Sequence, residues 1–391
     1  MINLVTIKKK RVISKKKIIR FIIVLIIVIL IGWLFLHLIL FKNYGYNDKV
    51  IKVFKDENLL DIVKKEHKYS KTLEMAIEKN SFNKDYLVDY INIKYINEDD
   101  FIDNINKLLD LGYNSKEINL FYKKIKDDIE IIINNEYDKD ITKYLELSYY
   151  RKENLDRYIK YKNNFDNLKS AFDVTDIINN FNYEDNVTYV DANLDKEYYT
   201  YDKLVSDKEA LELDVLVNKY NRLNKDFEPS DLENIQSKYA SNDQKLRHVA
   251  KEAFEKMCYD ASKEGIYIYA GSTYRSYSYQ TSLHNKYISE DGLNEAEVYS
   301  ARAGYSEHQL GLAVDILSSK WKLINEDDIE YSWLVENSYK YGFILRYPRK
   351  KEYITGYVFE DWHYRYLGVD LAKKVHDSNL TYDEYVARGL K

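Results

Sequence analysis

The sequence is poor in the residues that build disulfide frameworks and flexible linkers. It contains one cysteine, Cys258, with two prolines and 12 glycines in 391 residues. A single cysteine excludes an intramolecular disulfide and a multi-cysteine zinc cluster. Cys258 lies in a helix-like stretch, KEAFEKMCYDA, which favours a small buried side chain over a nucleophile. The scarcity of proline and glycine indicates long helices and little linker, in a chain long enough for two or three domains.

Acidic residues are missing from the first 20 positions, which carry eight basic residues. Residues 21–41 then contain no charged side chain, and a helix of this length spans a bilayer. The positive-inside rule places the tail 1–20 in the cytoplasm and the chain after the span outside the cell. A cleaved signal peptide is the alternative, but its apolar core would be shorter and followed by small residues. We therefore predict an uncleaved, single-pass anchor in the cell membrane.

The rest of the chain is acidic. After the first 20 residues, 51 basic side chains stand against 64 acidic ones. Such a surface gains nothing from bulk attraction to nucleic acid or to anionic wall polymers. Nucleic-acid binding is therefore disfavoured.

Residues 42–180 have the periodicity of helices. A helical face is predicted at 101–109, where the apolar positions are Phe101, Ile102, Ile105, Leu108 and Leu109. Gly112 is predicted to end that helix, and Asn114 with Glu117 to begin the next. We expect helical hairpins or a short solenoid without a strict period. The region would serve as a spacer above the membrane or as a surface for a protein partner.

The periodicity weakens at 181–210, which we interpret as a linker with residues 187–201 partly packed on the following domain. The last domain is predicted to span 211–391. Its clearest elements are a helix at 243–264 and a strand at 266–272, where apolar and polar residues alternate.

Two clusters of polar residues indicate a metal site. The stretch 304–316, GYSEHQLGLAVDI, places His308 and Asp315 seven positions apart, with Asp315 on the strand face opposite its apolar neighbours. A lone histidine is more often a packed polar group than a ligand. The second cluster, FEDWHYRY at 359–366, adds His363 with Glu360 three residues before it. Two histidines and one aspartate are enough for a catalytic zinc, and Glu360 remains as a general base for water.

These motifs resemble those of a known family. SEHQLGLAVD is similar to the SxHxxGxAxD motif, and EDWH to the ExWH motif, of the VanY-like zinc D-alanyl-D-alanine carboxypeptidases. The resemblance continues through LVNKYNRLNKDFEPSDL at 216–232, GSTYRSYSYQ at 271–280 and GFILRYPRKKEYITG at 342–356. It covers roughly the last half of the chain in the family's order. It implies a small α+β domain of the hedgehog/D,D-peptidase type, an antiparallel sheet with helices.

The resemblance also implies a reaction. The family removes a C-terminal D-amino acid from a peptidoglycan stem peptide with water activated by one Zn²⁺. His308, Asp315 and His363 match its zinc ligands, and Glu360 matches its general base. The alternative for Glu360 is a residue that only orients a ligand imidazole.

Further positions match the family near the substrate. Arg275 is expected to hold the scissile carbonyl and stabilise its oxyanion, or else to bind a substrate carboxylate. Ser306 and Gln280 match substrate-proximal positions, although a turn-forming serine is equally consistent with the sequence. Tyr274 and Trp362 would wall the pocket, with ordinary packing as the alternative.

The resemblance leaves alternatives open. The commonest form of the second motif has proline where this chain has Asp361, which would loosen the loop or add charge near the metal. Cleavage of an L-centre–D-Ala bond, endopeptidase action on the same polymer, a non-catalytic peptidoglycan-binding scaffold and a domain merely stabilised by zinc are the competing hypotheses. The remaining histidines outside any motif are interpreted as structural: His248, His284 and His376.

Overall fold

The computed structural model describes residues 15–162, 181–200 and 203–390. The chain divides into two compact units, Met1–Thr142 and Lys143–Lys391. The described α-helices of the first unit, α1–α8, span Lys15–Tyr44, Asp48–Asp56, Leu60–Glu66, Lys71–Glu78, Leu87–Asn92, Phe101–Asp110, Ser115–Ile125 and Ile129–Ile133. Most of the predicted cytoplasmic tail, and residues 163–180 of the predicted helical region, lie outside the described residues.

Helix α1 contains the predicted membrane span and extends beyond it at both ends. Within the described residues, it is the helix that is long and apolar enough to cross a bilayer, judged by length and composition. Its C-terminal end packs into the first unit, where Phe41 is fully buried against Phe54 with ring centroids 5.6 Å apart.

The local features predicted at 101–117 are confirmed. The five apolar residues of α6 are each at most 5% exposed. Gly112 follows the helix with φ +104°. The Asn114 side chain accepts the backbone N–H of Glu117, while the Glu117 carboxylate accepts the N–H of Asn114 at 2.8 Å. This reciprocal cap satisfies donors that the start of a helix leaves unpaired.

One connecting element occurs twice in the first unit. The tripeptide Gly-Tyr-Asn at 45–47 and at 112–114 has the same structure in both places: the glycine has φ +104° and the asparagine caps the next helix. In both copies the tyrosine hydroxyl accepts a backbone N–H from the connection that follows the next two helices, from Ser70 at 2.9 Å in the first and from Asp138 at 3.0 Å in the second. A buried tyrosine therefore connects the two ends of each of these helix pairs.

The second unit combines helices with short strands. Its described α-helices, α9–α19, span Ile141–Glu146, Leu155–Lys160, Tyr183–Asp191, Asp207–Ala210, His248–Lys263, Tyr277–Asp291, Leu293–Tyr299, Ile329–Asn337, Glu352–Thr355, Val369–Ser378 and Tyr382–Ala387, with α9 beginning just before the unit. Its described strands, β1–β8, span Lys203–Leu204, Asn221–Arg222, Leu232–Asn234, Lys245–Arg247, Tyr269–Ser272, Ala313–Leu317, Phe343–Tyr347 and Glu360–Tyr366.

Four of the described strands form an antiparallel sheet in the order β5-β6-β8-β7. One face carries Val314 and Ile316 into the core, where they join Phe254 and Cys258 of α13. Alternation along β6 then directs Asp315 to the opposite face. The prediction of an antiparallel sheet with helices is confirmed, and so is the burial of Cys258.

Two predicted boundaries are wrong. The helix predicted at 243–264 begins only at His248, because Lys245–Arg247 pairs with Leu232–Asn234 as strand β4. The strand predicted at 266–272 is restricted to Tyr269–Ser272, the part that pairs with β6. In both cases the pairing of strands that are distant in sequence determines where the element begins. The periodicity of the local sequence contains no information about such pairing.

The second unit starts earlier than the domain boundary predicted from the sequence. Arg157 of α10 joins this part to residues that follow the undescribed stretch: its Nε donates to Asp195 at 3.0 Å and its guanidinium to the Val190 carbonyl at 2.8 Å. Arg151 donates to the Ala387 carbonyl at 3.1 Å. These bonds connect the beginning of the unit with its C-terminal helix.

We predict that Arg157→Ala destabilises the second unit, because several hydrogen bonds from one mostly buried cation are lost together. The thermal midpoint should fall by at least about 5 °C. Tryptophan fluorescence of the full chain is the readout, since three of its four tryptophans, Trp321, Trp333 and Trp362, lie in this unit. Lys160→Ala, which removes a mostly exposed lysine of the same helix, should shift the midpoint by less than about 2 °C; equal shifts would contradict the prediction.

Candidate active site

A cleft of about 850 Å³ opens on the face of the sheet opposite the core. Strands β5, β6 and β8 form its floor, while helices α14 and α15 contribute one wall. The turn that carries His308 joins that wall to the floor. All the metal ligands predicted from the sequence line this cleft: His308, Asp315 and His363.

The three predicted ligands converge. One ligand atom from each lies within 4.8 Å of the others. Nε2 of His308 is 3.4 Å, and Nδ1 of His363 is 3.0 Å, from Oδ1 of Asp315. Ligand atoms about 2.0–2.1 Å from a tetrahedral zinc would be about 3.3 Å apart. The donor set and its spacing therefore fit such an ion.

Sheet register explains this convergence. Asp315 of β6 lies directly opposite His363 of β8. Glu360 and His363 are three residues apart and would face opposite sides of a regular strand. The pairing of β8 with β7 is irregular between Leu345 and Tyr347, and both side chains reach the cleft.

The His308 ring is oriented by the backbone. Its Nδ1 lies 2.6 Å from the Thr273 carbonyl oxygen, which only accepts, so Nδ1 carries the proton and Nε2 faces Asp315 unprotonated. Burial and the nearby Arg275 lower the pKa of His308 to about 4. The ring is thus neutral at physiological pH, the form in which histidine binds metals.

A short turn holds His308 in place. Ser306 caps the turn Glu307–Leu310 by accepting the His308 backbone N–H, as the turn-forming alternative for Ser306 requires. Gly311 ends the turn with φ +65°, and a Cβ at that position would lie 2.7 Å from the Leu232 side chain. Glycine is therefore needed for both conformation and space.

Glu307 is the residue that sequence reasoning missed. Its carboxylate is buried on the far side of His363, with Oε2 3.7 Å from Nε2 of that ring. Neither of these two atoms has a hydrogen-bond partner. A proton on Nε2 that points to Glu307 leaves Nδ1 free to face Asp315. Carboxylates placed in this way commonly orient metal-binding histidines.

Two buried arginines stabilise Glu307. Its Oε1 accepts from Nε of Arg346 at 2.8 Å and from Arg365 at 2.9 Å. Arg346 also donates to Asp383 of the last helix at 2.5 Å. Burial alone would raise the pKa of Glu307, but the two guanidinium groups hold it well below its usual range. The only sequence signal was the position of these arginines in two strands, ILRYP and HYRY.

Glu360 lies beside the predicted ligands. Its Oε2 is 3.7 Å from Nδ1 of His363, and the side chain is buried. Burial raises the pKa of Glu360 to about 8, and the carboxylates of Asp315 and Asp361 add to the shift. Asp361 itself lies inside strand β8 and is buried, so the loosened loop considered for it is not observed.

Arg275 reaches the cleft but is engaged with a predicted ligand. Its guanidinium is 2.5 Å from Oδ2 of Asp315, and its Nε donates to Ser272 at 2.9 Å. A third contact, at 3.5 Å, is to Oε1 of Gln280, whose amide also donates to the Ala301 carbonyl at 2.8 Å. Gln280 therefore helps to position Arg275 at the edge of the cleft.

The remaining residues predicted to lie near the substrate differ in whether they line the cleft. Ser306 and Trp362 line the cleft. Tyr274 is absent from the described residues that line it, and its phenol interacts instead with Glu228, which raises its pKa after the larger effect of burial. The structure does not support a substrate contact for Tyr274.

The histidines outside the motifs make local contacts. His284 is buried, with Nδ1 3.3 Å from the Ser300 hydroxyl, and His376 stacks on Tyr339. His248 belongs to an exposed group with Glu233 and Glu252, and Lys251 pairs with both of these carboxylates. That group has no feature of a buried metal site.

Comparison with known proteins identifies the same part of the chain. The family profile "VanY: D-alanyl-D-alanine carboxypeptidase" matches residues 243–369. The protein named "Putative carboxypeptidase YodJ" of Bacillus subtilis (strain 168) is 39% identical over 210 residues, which are 49% of this chain and 75% of YodJ. The bifunctional D-Ala-D-Ala dipeptidase and D-Ala-D-Ala carboxypeptidase VanXYC of Enterococcus gallinarum is 31% identical over 180 residues, 44% of this chain and 91% of VanXYC.

Solved structures include two related enzymes. The LdcB LD-carboxypeptidase is 38% identical, with a TM-score of 0.44, and the match covers 48% of this chain and 90% of LdcB. A vancomycin-resistance D,D-pentapeptidase VanY in complex with Zn(II) is 34% identical, with a TM-score of 0.40, over 44% of this chain and 98% of that one.

We predict that Glu307→Gln weakens zinc binding about 10- to 100-fold, because His363 loses the carboxylate that orients it. Competition of the full chain with a chromophoric chelator measures the affinity, and near-UV circular dichroism checks the fold. The matched control is Glu326→Gln, which breaks a half-exposed pair with Arg349. Unchanged zinc affinity in a folded Glu307→Gln variant would contradict the orienting role.

Proposed function

Because this chain belongs to the VanY-like D-alanyl-D-alanine carboxypeptidase family, we propose that it removes the C-terminal D-alanine from peptidoglycan stem peptides. The observation that carries this proposal is the convergence of His308, Asp315 and His363 beside Glu360. A cleft of about 850 Å³ is far larger than a free dipeptide needs, which favours the end of a longer peptide as substrate.

We propose that His308, Asp315 and His363 hold one zinc ion. Their atoms are an imidazole–carboxylate–imidazole set, which suits zinc and leaves one position open. Zinc in such a site supplies Lewis-acid chemistry, lowering the pKa of water and polarising a carbonyl. In each histidine, the ring nitrogen that faces away from the proposed metal lies near an oxygen atom that would orient the ring. Nδ1 of His308 lies near the Thr273 carbonyl, and Nε2 of His363 lies near the Glu307 carboxylate.

Glu360 is assigned the proton transfers. Its buried carboxylate lines the same cleft beside the proposed ligands, where it would take a proton from the attacking water and deliver it to the leaving amine. Burial keeps bulk water from competing for that proton. The alternative, that Glu360 only orients His363, is less well supported because Glu307 already contacts that ring from the other side.

Arg275 is assigned to the substrate. Its guanidinium contacts Asp315 and Gln280 at the edge of the cleft, within reach of an oxyanion or of a terminal carboxylate. Ser306 lines the same part of the cleft, and its hydroxyl is available to a carboxylate beyond its bond to the turn. These groups would position the last residue of the peptide against the reacting carbonyl.

We predict that the full chain in detergent releases D-alanine from a pentapeptide ending in D-Ala-D-Ala, that chelator abolishes the release and that zinc restores it. Glu360→Gln should lower kcat by about 10²- to 10⁴-fold while zinc stays bound, since it removes only proton transfer. Glu336→Gln, an exposed glutamate on α16, is the matched control and should leave kcat unchanged.

A tetrapeptide ending in D-alanine is assayed in parallel. Release of D-alanine from the tetrapeptide alone would show that the enzyme has L,D rather than D,D specificity. No release from either peptide by zinc-loaded protein would contradict carboxypeptidase function and favour an endopeptidase or a binding scaffold.

We also propose that α1 anchors the enzyme in the cell membrane, with residues 1–20 in the cytoplasm and the catalytic unit outside. The support is the uncharged stretch 21–41 behind eight basic residues, inside a continuous helix. Residues 42–142 would then act mainly as a spacer. The chain should resist alkaline carbonate extraction, and protease added to intact protoplasts should digest everything after the span. Recovery of a soluble chain shortened at its N-terminus would instead indicate a cleaved signal peptide.

A further inference from the structure

A tryptophan occupies a backbone position that normally requires glycine or asparagine. Strand β6 continues into a tight turn at 318–322, closed by a bridge between Leu317 and Leu323 and by the bond from the Ser318 N–H to the Lys322 carbonyl at 2.8 Å. Within this turn Trp321 has φ +60°. A bulky side chain in the left-handed region is strained, and such strain concentrates at functional sites.

The Trp321 ring is held flat and remains open to solvent. It stacks on Tyr269 of β5 with ring centroids 4.2 Å apart and an interplanar angle of 15°. The residue is nevertheless 53% exposed and lines the same cleft as the predicted metal ligands. One face of the indole is thus covered by Tyr269, and the other faces the cleft.

The turn is fixed to the body of the unit by two buried acids. The Ser319 N–H donates to Glu330 at 3.0 Å, and the Lys320 ammonium donates to Asp328 at 2.8 Å. Both acids are less than 7% exposed. The indole is therefore presented in one orientation, which lowers the entropic cost of binding a ligand to it.

The surroundings of Trp321 favour a ligand that stacks on the indole over a peptide that pairs with a strand edge through its main chain. The adjacent edge of β5 is already covered, since the Ser241 N–H donates to the Ala270 carbonyl at 2.9 Å. An extended peptide consequently finds no free strand edge there. What the site offers is an aromatic plane in a cleft that Ser241 also lines. A pyranose ring matches this arrangement, because it has C–H groups on its faces and hydroxyls around its edge.

We propose that Trp321 is a sugar-binding platform that receives a pyranose of the glycan strand carrying the stem peptide. This inference rests on the proposed function for the identity of the polymer. Two residues of β6, Ile316 and Leu317, separate Asp315 from the start of the turn at Ser318, a distance along the strand of about 10 Å. The four residues of a pentapeptide between the cleaved bond and the sugar cover up to about 13 Å when extended. The turn that carries Trp321 thus begins within reach of the sugar.

The test compares two substrates of the full chain in detergent: a free pentapeptide ending in D-Ala-D-Ala, and the same pentapeptide attached to the N-acetylglucosamine–N-acetylmuramic acid disaccharide. The wild type should have kcat/KM about threefold to tenfold higher for the sugar-bearing substrate, as expected from one stacking contact. Trp321→Gly should reduce this ratio to about one, and Trp321→Phe should keep most of it. Glycine also suits φ +60°, so loss of the fold is not expected.

A second measurement does not depend on cleavage. Saturation-transfer NMR with tetra-N-acetylchitotetraose should show binding to wild type and to Glu360→Gln, and none to Trp321→Gly. A ratio near one in the wild type, or an equal loss on both substrates in Trp321→Gly, would overturn the proposal, the latter by showing that the indole contacts peptide. Cleavage of neither substrate with sugar binding intact would reject the proposed function and leave the platform standing.

Discussion

The site depends on a carboxylate that is buried between two arginines. Removing a carboxylate and two guanidinium groups from water costs several kcal/mol for each ion, so these charges remain buried only when they are paired with one another. Glu307 and Asp383 balance Arg346 and Arg365 in number, and the network is neutral. It forms a rigid base under His363. A rigid base matters because a metal site tolerates little displacement of its ligands.

Charge is not balanced on the other side of His363. Two carboxylates, Asp315 and Glu360, face the cleft, and Arg275 is in direct contact with Asp315. With both acids ionised and both imidazoles neutral, as metal binding requires, the two acids and Arg275 carry a net negative charge in a region shielded from water, where electrostatic interactions are strong. Burial raises the pKa of Glu360 and so reduces this excess without a cation. A divalent ion would remove it and favour the ionised, basic form of Glu360.

The proposed ligands could be predicted from the sequence, but the residues that position them could not. His308, Asp315 and His363 could be predicted as ligands, and Glu360 as a base, because metal binding restricts residue type and a short motif fixes spacing. Glu307 stands inside the same motif but looks like an ordinary charged turn residue until Arg346 and Arg365 are brought to it by different strands. The start of α13 was misplaced for the same reason: β4 forms only when residues far apart in the chain pair. Local patterns do not contain such information.

Asp361 stands where the family motif commonly has proline, and it affects the site through the charged groups around it. Proline at this position would restrict the backbone, yet Asp361 lies inside strand β8. The consequence of the substitution is therefore electrostatic. Burial raises the pKa of its carboxyl, the neighbouring acid Glu326 adds to the rise, and the Arg349 cation opposes it. Being next to Glu360, it opposes ionisation of that carboxyl, the proposed general base, whereas an ion held by the three proposed ligands would promote it. The pKa of Glu360 is thus raised by burial and by the neighbouring carboxylates of the chain, and a bound cation would lower it.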